Sequence, residues 1–395
     1  MRNKERPSAR KIETLLPWHA AGTRRRDVQR VEEALARDLA CAPLCTGARV
    51  LGSRIHLRSQ RAAANCNNDN RQTRMMTAAP PQTMKLRVTR NDAIADGINL
   101  FEFRDAGGSE LPQFSAGAHI GIHAPNGMLR KYSLCNDPAE RDRYQVAVKR
   151  EVNGRGGSCS LIDDVKAGDK LSVVAPVNDF GLPPRAQDFL FIAGGIGVTP
   201  MMAMIRQVMA EGKRFRLFYC TRSPETTAFR EELGAPQFKD MVTIHYDQGD
   251  PSRSLDLRPI LAERRNREHL YCCGPRPLME AVRAMTDHWS PTAVHFEAFS
   301  EAETHKPDDK PFKVRLARSG TMLDVSTSTT ILEVLREHGL EVPSSCETGT
   351  CGTCRTKLLA GEADHRDLVL AEHERKDTIM ICVSRARGDE ITIDR

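Results

Sequence analysis

The chain has 395 residues, room for two or three domains, with 40% apolar residues to build cores and only 5% aromatics. No run of 18 uncharged apolar residues occurs, so no membrane span is expected. The net charge of +6 is misleading: residues 1–75 hold 16 Lys+Arg against 7 Asp+Glu, which leaves the other 320 residues at −3 and gives nucleic acid no basic surface outside the tail.

In chain order, residues 1–83 read as a disordered or non-native extension. They are rich in Arg, Ala, Asn and Thr, and only Val31 to Leu39 reads as a short helix. The Arg-rich start has no apolar signal core, and its seven acidic residues argue against a transit peptide. Cys41 and Cys45 carry no metal expectation. Residues 84–185 change texture. Short alternating segments (Lys85 to Thr89, Ile98 to Phe103, His119 to His123, Tyr144 to Val148, Leu171 to Val174) are punctuated by Gly, Pro, Asn and Asp, which predicts an antiparallel β-barrel.

Residues 186–300 switch to strand–helix alternation. Strands are expected at Leu190 to Ala193, Phe215 to Cys220, Val242 to Tyr246 and His269 to Cys273. Helices are expected at Pro200 to Glu211, Glu225 to Leu233, Leu257 to Arg264 and Pro277 to Trp289. Such units make a parallel sheet with flanking helices. Residues 301–311 suit a linker. Residues 312–395 open with strands at Val314 to Leu316 and Met322 to Val325 and a helix at Ile331 to His338, an α+β unit.

That last unit holds the most specific signal. Cys346, Cys351 and Cys354 are spaced C-x4-C-x2-C, and Cys382 follows after 27 residues. This is the plant-type ligand spacing for a [2Fe–2S] cluster, in which a tight loop supplies three thiolates and a distant strand the fourth. A structural zinc site usually pairs two short knuckles, and only one C-x2-C is present. The twelve cysteines do not form a secreted disulfide framework, so a reducing cytoplasm is expected.

Three further motifs point to nucleotides. Ala193-Gly194-Gly195-Ile196-Gly197-Val198-Thr199-Pro200 joins an apolar strand to a helix, with Thr199 expected as the helix cap. Tyr271-Cys272-Cys273-Gly274-Pro275 ends a later strand, and ligands of open parallel sheets sit at such carboxyl ends. Arg130-Lys131-Tyr132-Ser133, followed by Lys149 and Gly156-Gly157-Ser158, joins a phosphate-binding arginine, an aromatic ring and free N–H groups before a helix at Cys159 to Val165. Each fragment alone is an ordinary strand or turn; together they describe a flavin nucleotide site.

With His295-Phe296-Glu297-Ala298-Phe299, these motifs occur in the order of the ferredoxin–NADP reductase superfamily. From Met84 to Arg395 the chain resembles the phthalate dioxygenase reductase and vanillate demethylase reductase family. That resemblance implies a flavin barrel, an α/β nicotinamide domain and a β-grasp ferredoxin domain. It implies FMN held by Arg130, Lys131, Tyr132, Ser133, the backbone of Val148, Lys149 and Arg150, Gly156, Gly157, Ser158, Thr199 and Phe299. It implies NADH framed by Gly194, Gly195, Gly197, Cys273, Gly274 and Pro275, and a cluster on Cys346, Cys351, Cys354 and Cys382. Cys273 is either a nicotinamide contact or a small buried residue. Arg222 keeps NADPH open. No acid–base dyad is expected, because the cofactors carry the chemistry. The implied activity is a monomeric reductase feeding a separate terminal Rieske-type oxygenase. A bare ferredoxin carrier and a fused oxygen- or nitric-oxide-consuming enzyme are the alternatives.

Overall fold

The computed structural model describes residues 82–299 and 306–395. The expectations for residues 1–81, including the helix at Val31 to Leu39, and for residues 300–305 of the linker lie outside these.

The first unit is a six-stranded antiparallel sheet in the order β4-β3-β6-β1-β2-β5. Its strands are β1 (Thr83–Ala95), β2 (Ile98–Asp105), β3 (Ala118–His123), β4 (Leu129–Ser133), β5 (Tyr144–Lys149) and β6 (Lys170–Asn178). The two edges meet through an antiparallel bridge between Leu134 and Val146, so the sheet closes into a barrel. Alternation explains the interior: Ile120 and Ile122 of β3, Val146 and Val148 of β5, and Phe101 and Phe103 of β2 are buried. Helix α1 (Gly157–Asp164) lies between β5 and β6.

The second unit is a five-stranded parallel sheet in the order β11-β10-β7-β8-β9. Its strands are β7 (Asp188–Gly194), β8 (Arg214–Thr221), β9 (Val242–Tyr246), β10 (Glu268–Cys273) and β11 (Val294–Glu297). Every residue of β7 is buried, as expected of an interior parallel strand. Phe189, Phe191 and Ala193 point into a core shared with the barrel, whereas Leu190 and Ile192 point to a second core on the other face. Barrel and sheet are therefore joined by one continuous apolar core.

Helix α2 (Val198–Ala210) follows β7. Three expected helices are shorter. The one at Glu225 to Leu233 reduces to α3 (Arg230–Leu233), because the Thr226 and Thr227 hydroxyls donate to the Ser223 carbonyl in a turn and Phe229 enters with φ 57°. The one at Leu257 to Arg264 reduces to α4 (Arg258–Leu261). The last, α5 (Arg276–Met285), stops where Thr286 Oγ1 bonds back to the Val282 carbonyl.

The third unit is a mixed sheet in the order β13-β12-β18-β14-β16, with β12 and β18 parallel. Its strands are β12 (Phe312–Leu316), β13 (Met322–Val325), β14 (Arg355–Ala360), β16 (Thr378–Met380) and β18 (Glu390–Ile393); β15 (Ala363–Asp364) and β17 (Arg385–Ala386) form a small ribbon. Helix α6 (Ile331–Glu337) packs on the sheet and starts with a capping box between Thr330 and Glu333. Leu368 of this unit is buried in the core of the nucleotide domain, with Met279, Val282 and Trp289.

Candidate flavin, nicotinamide and iron–sulfur sites

The flavin corner is built by β4 and α1. Gly156, with φ 87°, precedes α1, and a Cβ on Gly157 would lie 2.9 Å from Cγ of Arg130. Arg130 is thus packed against the amino end of an eight-residue helix, whose first N–H groups and dipole favour an anion. Among the described residues, its guanidinium donates to the Leu129 carbonyl and to Met128 Sδ. Ser158 Oγ accepts from the Glu151 amide, which ties the helix start to the chain after β5. Tyr132 is half-buried beside this corner, and burial raises its phenol to about 12. This donor set fits a flavin phosphate with an aromatic ring beside it.

The other expected flavin residues come from several elements. Val148 is a barrel core residue, and Lys149 and Arg150 pair with Glu151 and Asp163 at the surface, leaving only their backbones for a ligand. The Lys131 ammonium donates to the Ser345 carbonyl, next to a cluster cysteine, at 3.3 Å. Thr199 is not the cap of α2: the helix begins at Val198, and the Thr199 hydroxyl donates to the Ile196 carbonyl at 3.0 Å. Phe299 follows β11 and is 47% exposed, an apolar ring held out at the carboxyl end of the sheet.

The two glycine turns meet at that same end. A Cβ on Gly197 would overlap the Cys273 carbonyl, and one on Gly194 would lie 2.6 Å from Pro275 Cδ. These glycines are required by the approach of one turn to the other. Gly195 instead faces open space at φ 53°, at the start of the thirteen-residue α2. An amino end beside an open turn fits a dinucleotide phosphate. Cys273 is 1% exposed, on the barrel-facing side, while Cys272 faces the opposite core. Burial pushes the Cys273 thiol well up, so it stays neutral.

The cluster loop runs from Ser344 to Cys354. Its thiols form two pairs within hydrogen-bonding reach, Cys346 with Cys351 and Cys354 with Cys382. Cys346 Sγ also accepts the amides of Thr348, Thr350 and Cys351 at 3.3–3.4 Å. Two pairs suit two irons.

A residue outside the expected set joins the three sites. Glu297, at the end of β11 opposite Cys273, accepts from Ser133 Oγ of β4 at 3.3 Å. Burial raises its carboxyl to about 8; Ser133 opposes this, and the charges of Asp179 and Cys346 add to it. Glu297 therefore holds a proton at neutral pH. His119, paired with Ser133 across β3 and β4, is held neutral: burial, then Lys131, lowers it to about 4. The signal for Glu297 was present in the sequence as a carboxylate inside the apolar run His295-Phe296-Glu297-Ala298-Phe299.

Family models match all three units: an oxidoreductase FAD-binding domain over residues 85–181, an oxidoreductase NAD-binding domain over 191–284, and a 2Fe-2S iron-sulfur cluster binding domain over 314–387. The chain is 50% identical over 310 residues to the phthalate 4,5-dioxygenase oxygenase reductase subunit of Pseudomonas putida, covering 78% of this chain and 96% of the relative. It is 49% identical over 321 residues to phthalate dioxygenase reductase of Burkholderia cepacia, covering 81% and 100%. The solved structure of a phthalate dioxygenase reductase, described as modular for electron transfer from pyridine nucleotides to [2Fe-2S], matches with a TM-score of 0.59 at 49% identity over 79% of this chain and 98% of that one. The three-domain architecture, the paired thiols and this similarity together make the chain a member of the phthalate dioxygenase reductase family, a reductase that carries electrons from NADH through a flavin to a [2Fe–2S] centre.

Proposed function

We propose that the flavin is FMN, that NADH is the electron donor in use, and that the acceptor is a separate Rieske-type oxygenase acting on an aromatic substrate of the phthalate or vanillate kind. The reading has the protein working in the cytoplasm as a monomer, with Arg130 and Gly156 to Ser158 on the phosphate and Tyr132, Ser133, Thr199 and Phe299 around the ring. Gly194, Gly195, Gly197 and Cys273 to Pro275 would frame the nicotinamide nucleotide, and the four paired cysteines would hold the cluster. A flavin held there would supply the conversion of one hydride, a two-electron input, into single electrons for the cluster.

The observation that carries this reading is the junction. Ser133 of β4 bonds to Glu297 of β11, and Lys131 of the same strand bonds to the residue before Cys346. One barrel strand thus touches both the nicotinamide side and the cluster side. Support for FMN comes from the resemblance and from the corner that Arg130 makes with α1, a place for a terminal phosphate. Relatives named as phthalate dioxygenase reductase and, at 39% identity, as the vanillate O-demethylase oxidoreductase of Pseudomonas putida support the oxygenase class.

The test is direct. Acid-released flavin from the purified protein should be FMN, and NADH should reduce both flavin and cluster. The reduced protein should then drive phthalate or vanillate oxygenase components. FAD in the extract, or no transfer to any Rieske component, overturns the corresponding part.

A further inference from the structure

The loop that carries Cys346 is held from two directions. On the nucleotide-domain side, the Leu368 amide donates to the Gly349 carbonyl at 3.0 Å while the Leu368 side chain is buried in that domain's core. Arg276 and Arg283 of α5 donate to the carbonyls of Arg366, Asp367 and Leu370 around it. On the barrel side, both contacts converge on Ser345. Lys131 Nζ donates to its carbonyl, and Ser345 Oγ donates to Asp179 Oδ1 at 2.5 Å.

Both partners of the second contact lie in segments held by further bonds. Asp179 sits between two fixed residues. Asn178 donates to Ser115 and to the Ala116 carbonyl, and Phe180 is buried edge-on to Tyr271 with centroids 5.0 Å apart. On the other side, Arg336 of α6 donates to Ser344 Oγ and Glu347 Oε1, and Ser344 Oγ donates to the same Glu347. A short charge-assisted hydrogen bond between two anchored segments transmits position with little slack.

We propose that Asp179 is a positioning residue for electron transfer: with Lys131, it clasps Ser345 and thereby fixes the first cluster ligand against the strand that carries Tyr132 and Ser133. This rests on the flavin and cluster sites proposed above. Asp179 touches neither cofactor in this scheme; it acts through Ser345 alone. The geometry also assigns Lys131 to this clasp, on the opposite side of β4 from its two flavin neighbours in the strand's alternation.

The test compares Asp179→Ala with Asp179→Asn in the full-length holoprotein. Both remove the charge that bears on Glu297; only Asn keeps an acceptor for Ser345 Oγ. Amide hydrogen exchange across residues 343–347 should be about fivefold faster in Asp179→Ala than in Asp179→Asn, the equivalent of one neutral hydrogen bond. In stopped-flow, NADH reduction of the flavin should be the same in both variants, while flavin-to-cluster transfer should be slower in the alanine variant. Ser345→Ala should match Asp179→Ala, and the double variant should be no slower than either. Equal exchange and equal flavin-to-cluster rates in the Ala and Asn variants overturn the proposal, as does slowing of the NADH step in Ala alone. Failure of NADH to reduce a flavin in the wild-type protein would instead count against the function itself.

Discussion

Glu102 is buried and Glu297 half-buried, yet the two glutamates hold opposite charge states. Burial works to raise both. At Glu102, in the barrel, it is overruled by Arg104, Thr89 and Gln145, with Arg143 also bonded, and the carboxyl falls to about 2. Glu297 has a single hydroxyl partner and acidic neighbours, and its carboxyl rises to about 8. Burial alone therefore does not set the charge; the number and sign of partners does. The barrel uses its glutamate as a fixed anion that ties strands together. The junction keeps its glutamate protonated, where Ser133 can share a proton with it.

The largest expected effect is at Glu102. Glu102→Ala leaves Arg104, Arg143, Thr89 and Gln145 without their shared acceptor and should cost about 3 kcal/mol in denaturant unfolding at pH 7. Its folded value lies below the unfolded one near 4.5, so its contribution is complete above pH 4.5 and lost as pH falls toward 2. The gap between wild type and variant should close across that acid range. A gap that persists at pH 2 would mean the loss is packing and not charge.

Glu297→Gln is the converse. A raised value gives stability that is full below pH 4.5 and lost as pH rises through about 8. Replacing the carboxyl by an amide removes that loss. Between pH 5 and 8 the variant should gain on the order of 2 kcal/mol relative to wild type. Parallel stability curves for the two proteins would contradict a neutral Glu297.

The smallest effect sharpens the contrast. Ser133→Ala removes the one hydrogen bond that opposes the rise of Glu297 and should cost about 1 kcal/mol. The protonated-carboxyl infrared band should then persist to higher pH than in wild type. A band that vanishes earlier would show that Ser133 is not holding the anion back.

Much of the architecture is legible in the residues. The strands Val242 to Tyr246 and Met322 to Val325 have the bounds expected from their alternation, because each is a short run closed by turn residues on both sides. The true start of the helix expected at Glu225 is not legible, since the Thr226 and Thr227 hydroxyls compete with the helix there in a way that periodicity does not record. At the sites, the thiol spacing announces the cluster, but the pairing of thiols needs the fold. Lys131 reads as a flavin residue by proximity to Arg130, and only the packing of a loop more than two hundred residues away shows where its ammonium goes. Glu297 shows in the sequence only as a carboxylate within an apolar run; its meaning depends on Ser133, from another sheet.

Leu368 bears on inheritance. A lineage that exchanged its iron–sulfur module for another's would have to bring a matching leucine, or reshape the hollow shared by Met279, Val282 and Trp289. Severing the chain between residues 299 and 306 would leave one piece with an apolar side chain in water and the other with a dent in its interior. The parts look interchangeable when drawn as beads on a string, but this residue makes the iron–sulfur unit and the nucleotide domain co-dependent. It predicts that hybrids of such reductases succeed only when the junction lies outside residues 366–370 or when α5 travels with the graft.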